Sequence, residues 1–278
     1  MTDFRIPLAD WVDAFLAWLE TTFAGLFDAI RTGFLGAYDG LEGLLQLPPF
    51  WVVILVFMAI AFWAKGWKMA LFVALGFTLV YGVDQWDNTM STLSLVLVAT
   101  FVAVAISIPL GIWAAKSDRV STIVRPIMDF FQTMPAMVYL IPALAIFRVG
   151  VVPGIVATII FAMVPGVRLT ELGIRGVDKE VVEAGHAFGA APGRILRQIQ
   201  LPLAMPTIIA GINQIIMLAL SMVVIAGMVG AGGLGGDVVA SLNRIDPGFG
   251  FEAGISVVVL AIFLDRVTQG FAASTKRK

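Results

Sequence analysis

The chain has 278 residues, of which 59% are hydrophobic and only 13% are charged, and its formal net charge is -1. Soluble domains are roughly 45–50% apolar and about 25% charged, so this composition indicates an integral membrane protein. The balanced charge gives no sign of nucleic-acid binding. The sequence contains no cysteine, which excludes disulfides, thiolate catalysis and cysteine-ligated metals.

The first 47 residues are predicted to form an external amphipathic segment. They begin with MTDFRIPLADW, which lacks the basic n-region of a cleaved secretory signal. From Leu8 to Phe34, apolar residues recur every three or four positions with acids between them, which predicts a helix of about seven turns. Pro48 and Pro49 prevent its continuation. We expect it to lie along the outer face of the membrane, although interfacial helices usually carry basic polar sides. Packing against other helices is an equally good interpretation.

Seven apolar runs follow, and stretches of roughly 20 such residues can cross a bilayer. Their continuity, without period-two alternation, predicts helices and not a barrel. The first two runs are short and separated only by KGWK, so they form either a hairpin that spans by snorkelling its lysines or a shallow pair. The runs cover residues 50–64, 69–83, 90–115, 127–147, 152–170, 203–229 and 251–271.

The distribution of Lys and Arg predicts the orientation. With the N-terminus outside, 14 of the 18 basic residues fall on the inner side, as the positive-inside rule requires. The prediction is therefore N-out and C-in, which makes the polar loop near residues 175–202 cytoplasmic. The inner residues are Lys65, Lys68, Lys116, Arg119, Arg125, Arg168, Arg175, Lys179, Arg194, Arg197, Arg266, Lys276, Arg277 and Lys278.

Polar residues within the 203–229 run are candidates for a transport pathway, because polar groups in a membrane span are costly. Asn213 and Gln214 lie in its first half, and Ser221 follows Gln214 by seven residues, on nearly the same helix face. Together with Met222 they form the predicted pathway or gate. The alternative is that Asn213, Gln214 and Ser221 form hydrogen bonds between helices, and this interpretation is slightly favoured for these three residues.

Prolines and one charge pair are expected to shape the spans. Asp129 follows Arg125 by four residues, which predicts an i,i+4 ion pair near a cytoplasmic helix end. Prolines within or next to two apolar runs predict kinked helices, suited to a gate or to close packing. They are Pro126, Pro135, Pro142 and Pro165.

The sequence contains no recognisable catalytic or nucleotide-binding motif. His186 is the only histidine, and the carboxylates are scattered, so neither a metal site nor a His-based triad can be assembled. The glycine-rich run GMVGAGGLGGD, Gly227 to Asp237, lacks a preceding strand and the Gly-Lys-Ser/Thr ending of a phosphate-binding loop. It predicts a tight external turn with close backbone packing, and shaping an external gate is a second role for it.

The cytoplasmic loop is predicted to contain two short helices. Asp178 is a candidate N-cap for a helix over DKEVVEAGHAF. Gly189 ends that helix, and Pro192 prevents its continuation. A second helix, GRILRQIQL, leads back to the membrane at Pro202. Such a protruding, polar knob suits docking to another protein better than packing in lipid.

The loop resembles the EAA loop of ATP-binding cassette importer permeases. The matching pattern is EAA, three residues, G, nine residues, I, one residue and LP, with glycine in place of the third small residue as the only departure. The resemblance implies that this loop couples the permease to an ATPase. The matching residues are Glu183, Ala184, Gly185, Gly189, Ile199, Leu201 and Pro202.

Three longer stretches, beginning at IVRPIMDFF, PGIVATIIF and LPLAMPTII, resemble the glycine betaine/proline betaine permeases of osmoprotectant uptake systems. The resemblance covers roughly residues 40–272 and implies an all-α type I importer fold in the bacterial cytoplasmic (inner) membrane. It implies a domain division into an external segment, two additional membrane helices, a five-helix core with the coupling loop, and a basic tail. The corresponding ranges are 1–47, 48–87, 88–272 and 273–278.

The same resemblance implies the partners: a second copy of this chain, two cytoplasmic ATP-binding subunits, an external solute-binding protein and membrane lipids, without nucleic acid. ATP and Mg would be used by the ATPase subunits, and this chain would hold no cofactor or metal and catalyse no reaction. The implied solute is glycine betaine or a related compatible solute. Alternatives are an importer for an amino acid or trimethylamine N-oxide, a secondary transporter, which should show internal repeats and a midplane ion site, and a membrane scaffold or sensor.

Overall fold

The computed structural model describes residues 6–275, and side chains through residue 270. Within this part the chain forms helices and turns without a strand, which confirms the all-α prediction. The predicted basic tail lies outside the described side chains. The helices are α1 Leu8–Thr22, α2 Ala24–Gln46, α3 Phe50–Lys65, α4 Trp67–Gly82, α5 Trp86–Lys116, α6 Asp118–Thr133, α7 Leu140–Phe147, α8 Val151–Arg175, α9 Lys179–Ala187, α10 Pro192–Ile195, α11 Leu201–Gly227, α12 Gly233–Arg244 and α13 Pro247–Thr275.

Four continuous helices in the described residues are long and apolar enough to cross a membrane, and two bent helix pairs raise the number to six. The four are α5, α8, the continuous helix 192–227 and α13. They correspond to four of the seven predicted runs. The other three runs are also helical, but they are short or broken, so seven uninterrupted crossings are not found.

The predicted run 127–147 bends at a proline, as expected, but the bend is a complete break between two helices and not a kink within one. Helix α6 ends at Thr133, and the helical stretch Ala136–Phe147 leaves it at an angle of 108°. The cause is Pro135, because a proline pushes the preceding residue out of the helical region. Met134 is accordingly extended, with ψ 132°. Pro142 lies in the first turn of α7, where its missing N–H costs little.

Helices α3 and α4 correspond to the first two apolar runs, for which the sequence allowed either a spanning hairpin or a shallow pair. At one end, the ring of Phe50 stacks on Tyr81 with centroids 3.8 Å apart, and Phe50 also meets Trp86 at the start of α5. At the other end, Ala64 packs against Gly270 near the end of α13. The short pair thus reaches both ends of the long helices, which favours the spanning interpretation. Sixteen residues extend only about 24 Å, so the ends must snorkel.

The N-terminal segment is two helices, so the single helix of seven turns is wrong. The break falls at Phe23, between Thr22 and Gly25, residue types with low helix propensity. Helix α2 packs on α5, where Glu42 accepts hydrogen bonds from Tyr38 (3.0 Å) and from Ser91. The packing interpretation therefore holds for α2. Helix α1 buries no residue and leaves its apolar side exposed.

The core of the bundle is built on α8, which packs on α5 and α11 through small residues. A Cβ added to Gly111 of α5 would lie 2.6 Å from the Cβ of Thr170. A Cβ added to Gly166 would lie 2.5 Å from both Ser107 Oγ and Ile215 Cδ1. Small residues let the helix backbones approach closely, as is common in membranes. This packing positions the inner ends of three spans around the cytoplasmic loop.

The predicted topology can be checked by labelling introduced cysteines, because the chain has none of its own. Asn243→Cys, at the exposed end of α12, should react with an impermeant maleimide in intact cells. Glu180→Cys, in exposed α9, should react only after permeabilisation. Full labelling of both variants in detergent is the control. The reverse pattern in intact cells would place the loop outside and contradict the N-out assignment.

Candidate functional site: the cytoplasmic loop and its base

The first loop helix, α9, begins and ends where the sequence predicts. The carboxylate of Asp178 accepts a hydrogen bond of 2.9 Å from the N–H of Glu180, which caps the helix start. Gly189 follows the helix end with φ +74°. Its N–H donates to His186 and that of Ala190 to Gly185, at 2.9 and 3.1 Å. This pair of bonds is a Schellman motif, which needs a left-handed residue at the position of Gly189.

Gly185, the one departure from the EAA pattern, lies where α9 crosses the second loop helix. It is buried, and a Cβ there would lie 2.8 Å from Ile199 Cδ1 and 3.4 Å from Ile195 Cγ1. The glycine therefore lets the two helices approach within side-chain contact. Since the nearest atom is the end of a flexible side chain, an alanine requires only a small shift of Ile199.

Two loop helices lie on either side of Gly189, as predicted, but the second is not short, because it continues past Pro202 into the membrane span. Helix α10, a π turn at Leu196–Gln200 and α11 form one continuous helix of 36 residues. In the π turn, the N–H of Leu201 bonds to the carbonyl of Leu196, five residues earlier. The helix widens just before Pro202, where the regular bond pattern must break because proline has no N–H. The second loop helix is thus part of the same helix as the membrane span.

An apolar cluster fixes the base of the loop to two spans. Ile174 of α8 and Val177, two residues after the end of that helix, pack with the continuous helix. The cluster they join also contains Leu196, Ala204 and Ile208, and all five residues are buried. Burying each large aliphatic side chain contributes about 1.5–3 kcal/mol, so the base is stable. This cluster therefore holds the base of the loop against α8 and the continuous helix.

The EAA-pattern residues divide into packing and surface positions. Gly185 is buried and Ile199 and Leu201 are half-buried. The others are exposed, and beside them Phe188 is 91% exposed, an apolar ring at the tip of the loop. The surface residues of the pattern are Glu183, Ala184, Gly189 and Pro202. A protruding face with one exposed aromatic ring is suited to contact another protein.

A buried carboxylate, which sequence reasoning missed, holds α6 to α8 below the loop. The side chain of Glu171 is 5% exposed and accepts hydrogen bonds from Ser121 Oγ (2.7 Å) and Arg125 (2.9 Å) of α6. Arg175, one turn later in α8, lies 3.1 Å from the same oxygen and 2.7 Å from Asp118. Arg175 also donates to the carbonyl of Ala114 in α5, at 2.9 Å. These contacts join the inner ends of three helices. The sequence signal for this network is the four-residue spacing of Ser121 and Arg125, which places both donors on one face of α6.

The predicted pair of Arg125 with Asp129 is wrong. Arg125 turns to Glu171, and Asp129 pairs with Arg168 of α8. The physical reason is that a buried carboxylate on the neighbouring helix offers Arg125 a less screened partner than an exposed one on its own helix. Both pairs border a cavity of about 360 Å³ between α6 and α8.

The four predicted pathway residues do not form one site. The amide of Asn213 donates to Asp265 of α13 at 3.2 Å, which favours the helix-tying alternative for that residue. Met222 is fully buried beside Tyr139 and Val229. Gln214 and Ser221 are exposed, and the seven-residue spacing places them on one face of α11.

The glycine-rich run is a tight turn between α11 and α12, as predicted. A Cβ on Gly227 would lie 2.3 Å from the carbonyl carbon of Gly235, so the two helices touch through backbone. Asp237 then accepts hydrogen bonds from Gln85 (3.0 Å) and Asn88 (2.6 Å) near the start of α5. The sequence analysis did not predict that Gln85 and Asn88 bind Asp237.

Residues 107–277 match the protein family described as "Binding-protein-dependent transport system inner membrane component". The chain belongs to this family. With its several apolar helices, the permease is a multi-pass protein of the inner membrane.

Named relatives cover nearly the whole permease. The glycine betaine transport system permease protein OpuAB of Bacillus subtilis is 47% identical over 274 residues, 99% of this chain and 97% of that protein. The glycine betaine/carnitine transport permease protein GbuB of Listeria monocytogenes is 48% identical over 275 residues, 98% and 97% of the two chains. Among solved structures, the inward-facing MetNI methionine ABC transporter superposes with TM-score 0.61 at 22% identity, over 66% of this chain and 92% of that one. The fold is that of an ABC importer transmembrane domain.

Proposed function

We propose that this chain is the membrane-spanning subunit of an ATP-driven importer for glycine betaine or a related quaternary-ammonium solute. The observation that carries the proposal is the near-half identity, over almost the full length, to two permeases named for glycine betaine transport. The complete importer contains two copies of this chain, two ATP-binding subunits and one external solute-binding protein. The ATP-binding subunits use ATP and Mg, whereas this chain needs no cofactor.

The loop transmits the motion of the ATPase to the spans. When ATP binding closes the ATPase pair, the exposed face around Glu183 and Phe188 is displaced. The contact of Gly185 with Ile199 carries that displacement into the continuous helix 192–227. The Glu171 network carries it to α6 at the same time. Two spans that flank the pathway thus move together.

The exposed face of α11 that holds Gln214 and Ser221 lines the pathway between the two copies. Both side chains are exposed in a span that is otherwise almost wholly apolar. Polar groups at membrane depth are costly in contact with lipid, so this face is better placed beside water or a second chain.

Solute choice resides mainly in the external binding protein. Quaternary ammonium groups are held best by several aromatic faces around a desolvated site. Three aromatic rings, those of Phe57 of α3, Phe77 of α4 and Phe263 of α13, are instead packed on each other in the core. Swapping the binding protein should therefore change the solute taken up by an unchanged permease. Unaltered selectivity would place the discriminating site in the permease.

Uptake competition tests the proposed solute. Cells that depend on this importer should accumulate labelled glycine betaine, and excess unlabelled glycine betaine should abolish the signal. Carnitine, choline, proline and trimethylamine N-oxide are the competitors that define the range. Uptake of an amino acid or trimethylamine N-oxide, with no effect of glycine betaine, would contradict the assignment.

Gly189→Val should uncouple the loop while leaving the spans inserted. A β-branched residue at φ +74° is strained by roughly 1–3 kcal/mol, so the Schellman turn opens and α9 tilts. The variant should purify as a folded dimer but lose solute-stimulated ATP hydrolysis. Gly189→Asn is the matched control, because asparagine tolerates positive φ and should retain most activity. Full stimulation of ATP hydrolysis in the valine variant would show that this loop is not the coupling element.

A further inference from the structure

A basic cavity lies beside the loop, on the side facing α5. Lys116 ends α5, and Arg194 and Arg197 lie on the second loop helix. The two elements are held together because Leu196 is buried in the cluster against which Ile112 and Ala115 of α5 pack. The resulting cavity has a volume of about 480 Å³ and is lined by Lys116, Gly193, Arg194, Leu196, Arg197 and Gln198.

The three cations of this cavity lack an acidic partner. All three are exposed, and none takes part in the ion pairs formed by the described residues. Those pairs involve other arginines: the inner carboxylates of Asp118 and Glu171, for example, bind Arg125 and Arg175. The cavity therefore presents an uncompensated charge of three units to its surroundings.

The cavity lies at the ends of two helices that are long and apolar enough to cross a membrane, Trp86–Lys116 and Pro192–Gly227. Trp113, one turn before Lys116 and on the same helix face, is 62% exposed. Tryptophan is enriched at the headgroup level of membrane proteins. On the other side, Leu203 is 56% exposed where the second loop helix enters the apolar span. Exposed apolar side chains thus lie on the membrane side of the cations along both helices.

We propose that this cavity binds the phosphate of an anionic phospholipid from the inner leaflet. Lys116, Arg194 and Arg197 contact the headgroup, and the acyl chains lie against Trp113 and Leu203. The apolar side chains next to the cations favour a lipid over an acidic protein surface, which would not need them. The inference concerns the purified chain and does not depend on the proposed solute or on ATP coupling.

Native mass spectrometry of the full-length permease tests the site. The probes are phosphatidylglycerol and phosphatidylcholine with identical acyl chains. The parent should retain phosphatidylglycerol preferentially. Arg194→Gln with Arg197→Gln should lower the affinity for it roughly thirtyfold, since each cation near an anionic lipid surface contributes about 1 kcal/mol. Lys65→Gln with Lys68→Gln removes the same charge from an exposed inner turn and should leave occupancy unchanged. Lys116→Gln, at an exposed helix end, is a milder second variant that should show a partial loss.

Three results would overturn the proposal. Equal losses in the loop and control variants would indicate a nonspecific response to charge. Displacement of the lipid by millimolar inorganic phosphate would assign the cavity to free phosphate. Loss of ATPase binding by the arginine variant in nanodiscs made only of phosphatidylcholine would assign the surface to protein docking.

Discussion

Glu171→Gln should weaken the joint between α6 and α8 and abolish most coupled transport. The carboxylate is buried and is the shared partner of Arg125 and Arg175, at 2.9 and 3.1 Å. A neutral amide leaves Arg125 without its anionic partner and leaves Arg175 with only the exposed carboxylate of Asp118. Breaking a fully buried ion pair costs about 3–5 kcal/mol. Because the side chains of Arg125 and Arg175 are 60% and 32% exposed, solvent screens them and we expect a loss of about 1–3 kcal/mol in the free energy of unfolding.

Asp129→Asn is the matched control for this substitution. It removes the same charge from the neighbouring pair with Arg168, in which both side chains are solvent-accessible. Exposed pairs contribute about 0–1 kcal/mol, so stability and uptake should change little. Thermal unfolding of the purified permease and solute uptake in cells are the two measurements. Indistinguishable behaviour of the two variants would show that Glu171 does not join the helices.

Gly235→Ala should prevent the close contact of α11 and α12 and sharply reduce the amount of folded permease. Its Cβ would lie 2.1 Å from the carbonyl oxygen and 2.7 Å from the carbonyl carbon of Val223. Backbone atoms cannot yield as a side chain can, so the helices must separate. We expect a loss of about 3 kcal/mol or more, at the upper end of overpacking effects. The separation would also pull Asp237 from Gln85 and Asn88.

Gly236→Ala is the control, one residue further along the same helix. A Cβ there has no atom within 4 Å, and Gly236 has no positive φ. Its yield of monodisperse protein in size-exclusion chromatography and its uptake should match the parent, whereas those of Gly235→Ala should fall. Equal yields would mean that the tight turn is not required for folding.

Much of the loop could be predicted because its determinants are local. The cap at Asp178 depends only on residues within about one helical turn of it, and the same is true of the left-handed turn at Gly189. The four long spans were predictable for a similar reason, because a continuous apolar run of about 20 residues by itself predicts a membrane-spanning helix. The resemblance to importer permeases was visible for the same reason, because the spacing from Glu183 to Pro202 is local in sequence.

What could not be predicted depends on contacts between distant residues. The partner of Arg125 lies 46 positions away on another helix, and only packing shows that Glu171 is buried beside it. The sharp bend at Pro135 follows from a general rule, but several prolines in these spans leave their helices continuous, such as Pro109 and Pro206. The continuity of the second loop helix with α11 depends on a π turn, for which the sequence carries no clear signal.

Reconstitution of the complete importer tests the central claim most directly. Proteoliposomes containing this permease, its ATP-binding subunits and the external solute-binding protein should accumulate glycine betaine against a gradient. Accumulation should require ATP on the side of the loop and binding protein on the opposite side, and Gly189→Val should eliminate it. Accumulation that persists without ATP and is driven instead by an ion gradient would contradict the account and identify the chain as a secondary transporter.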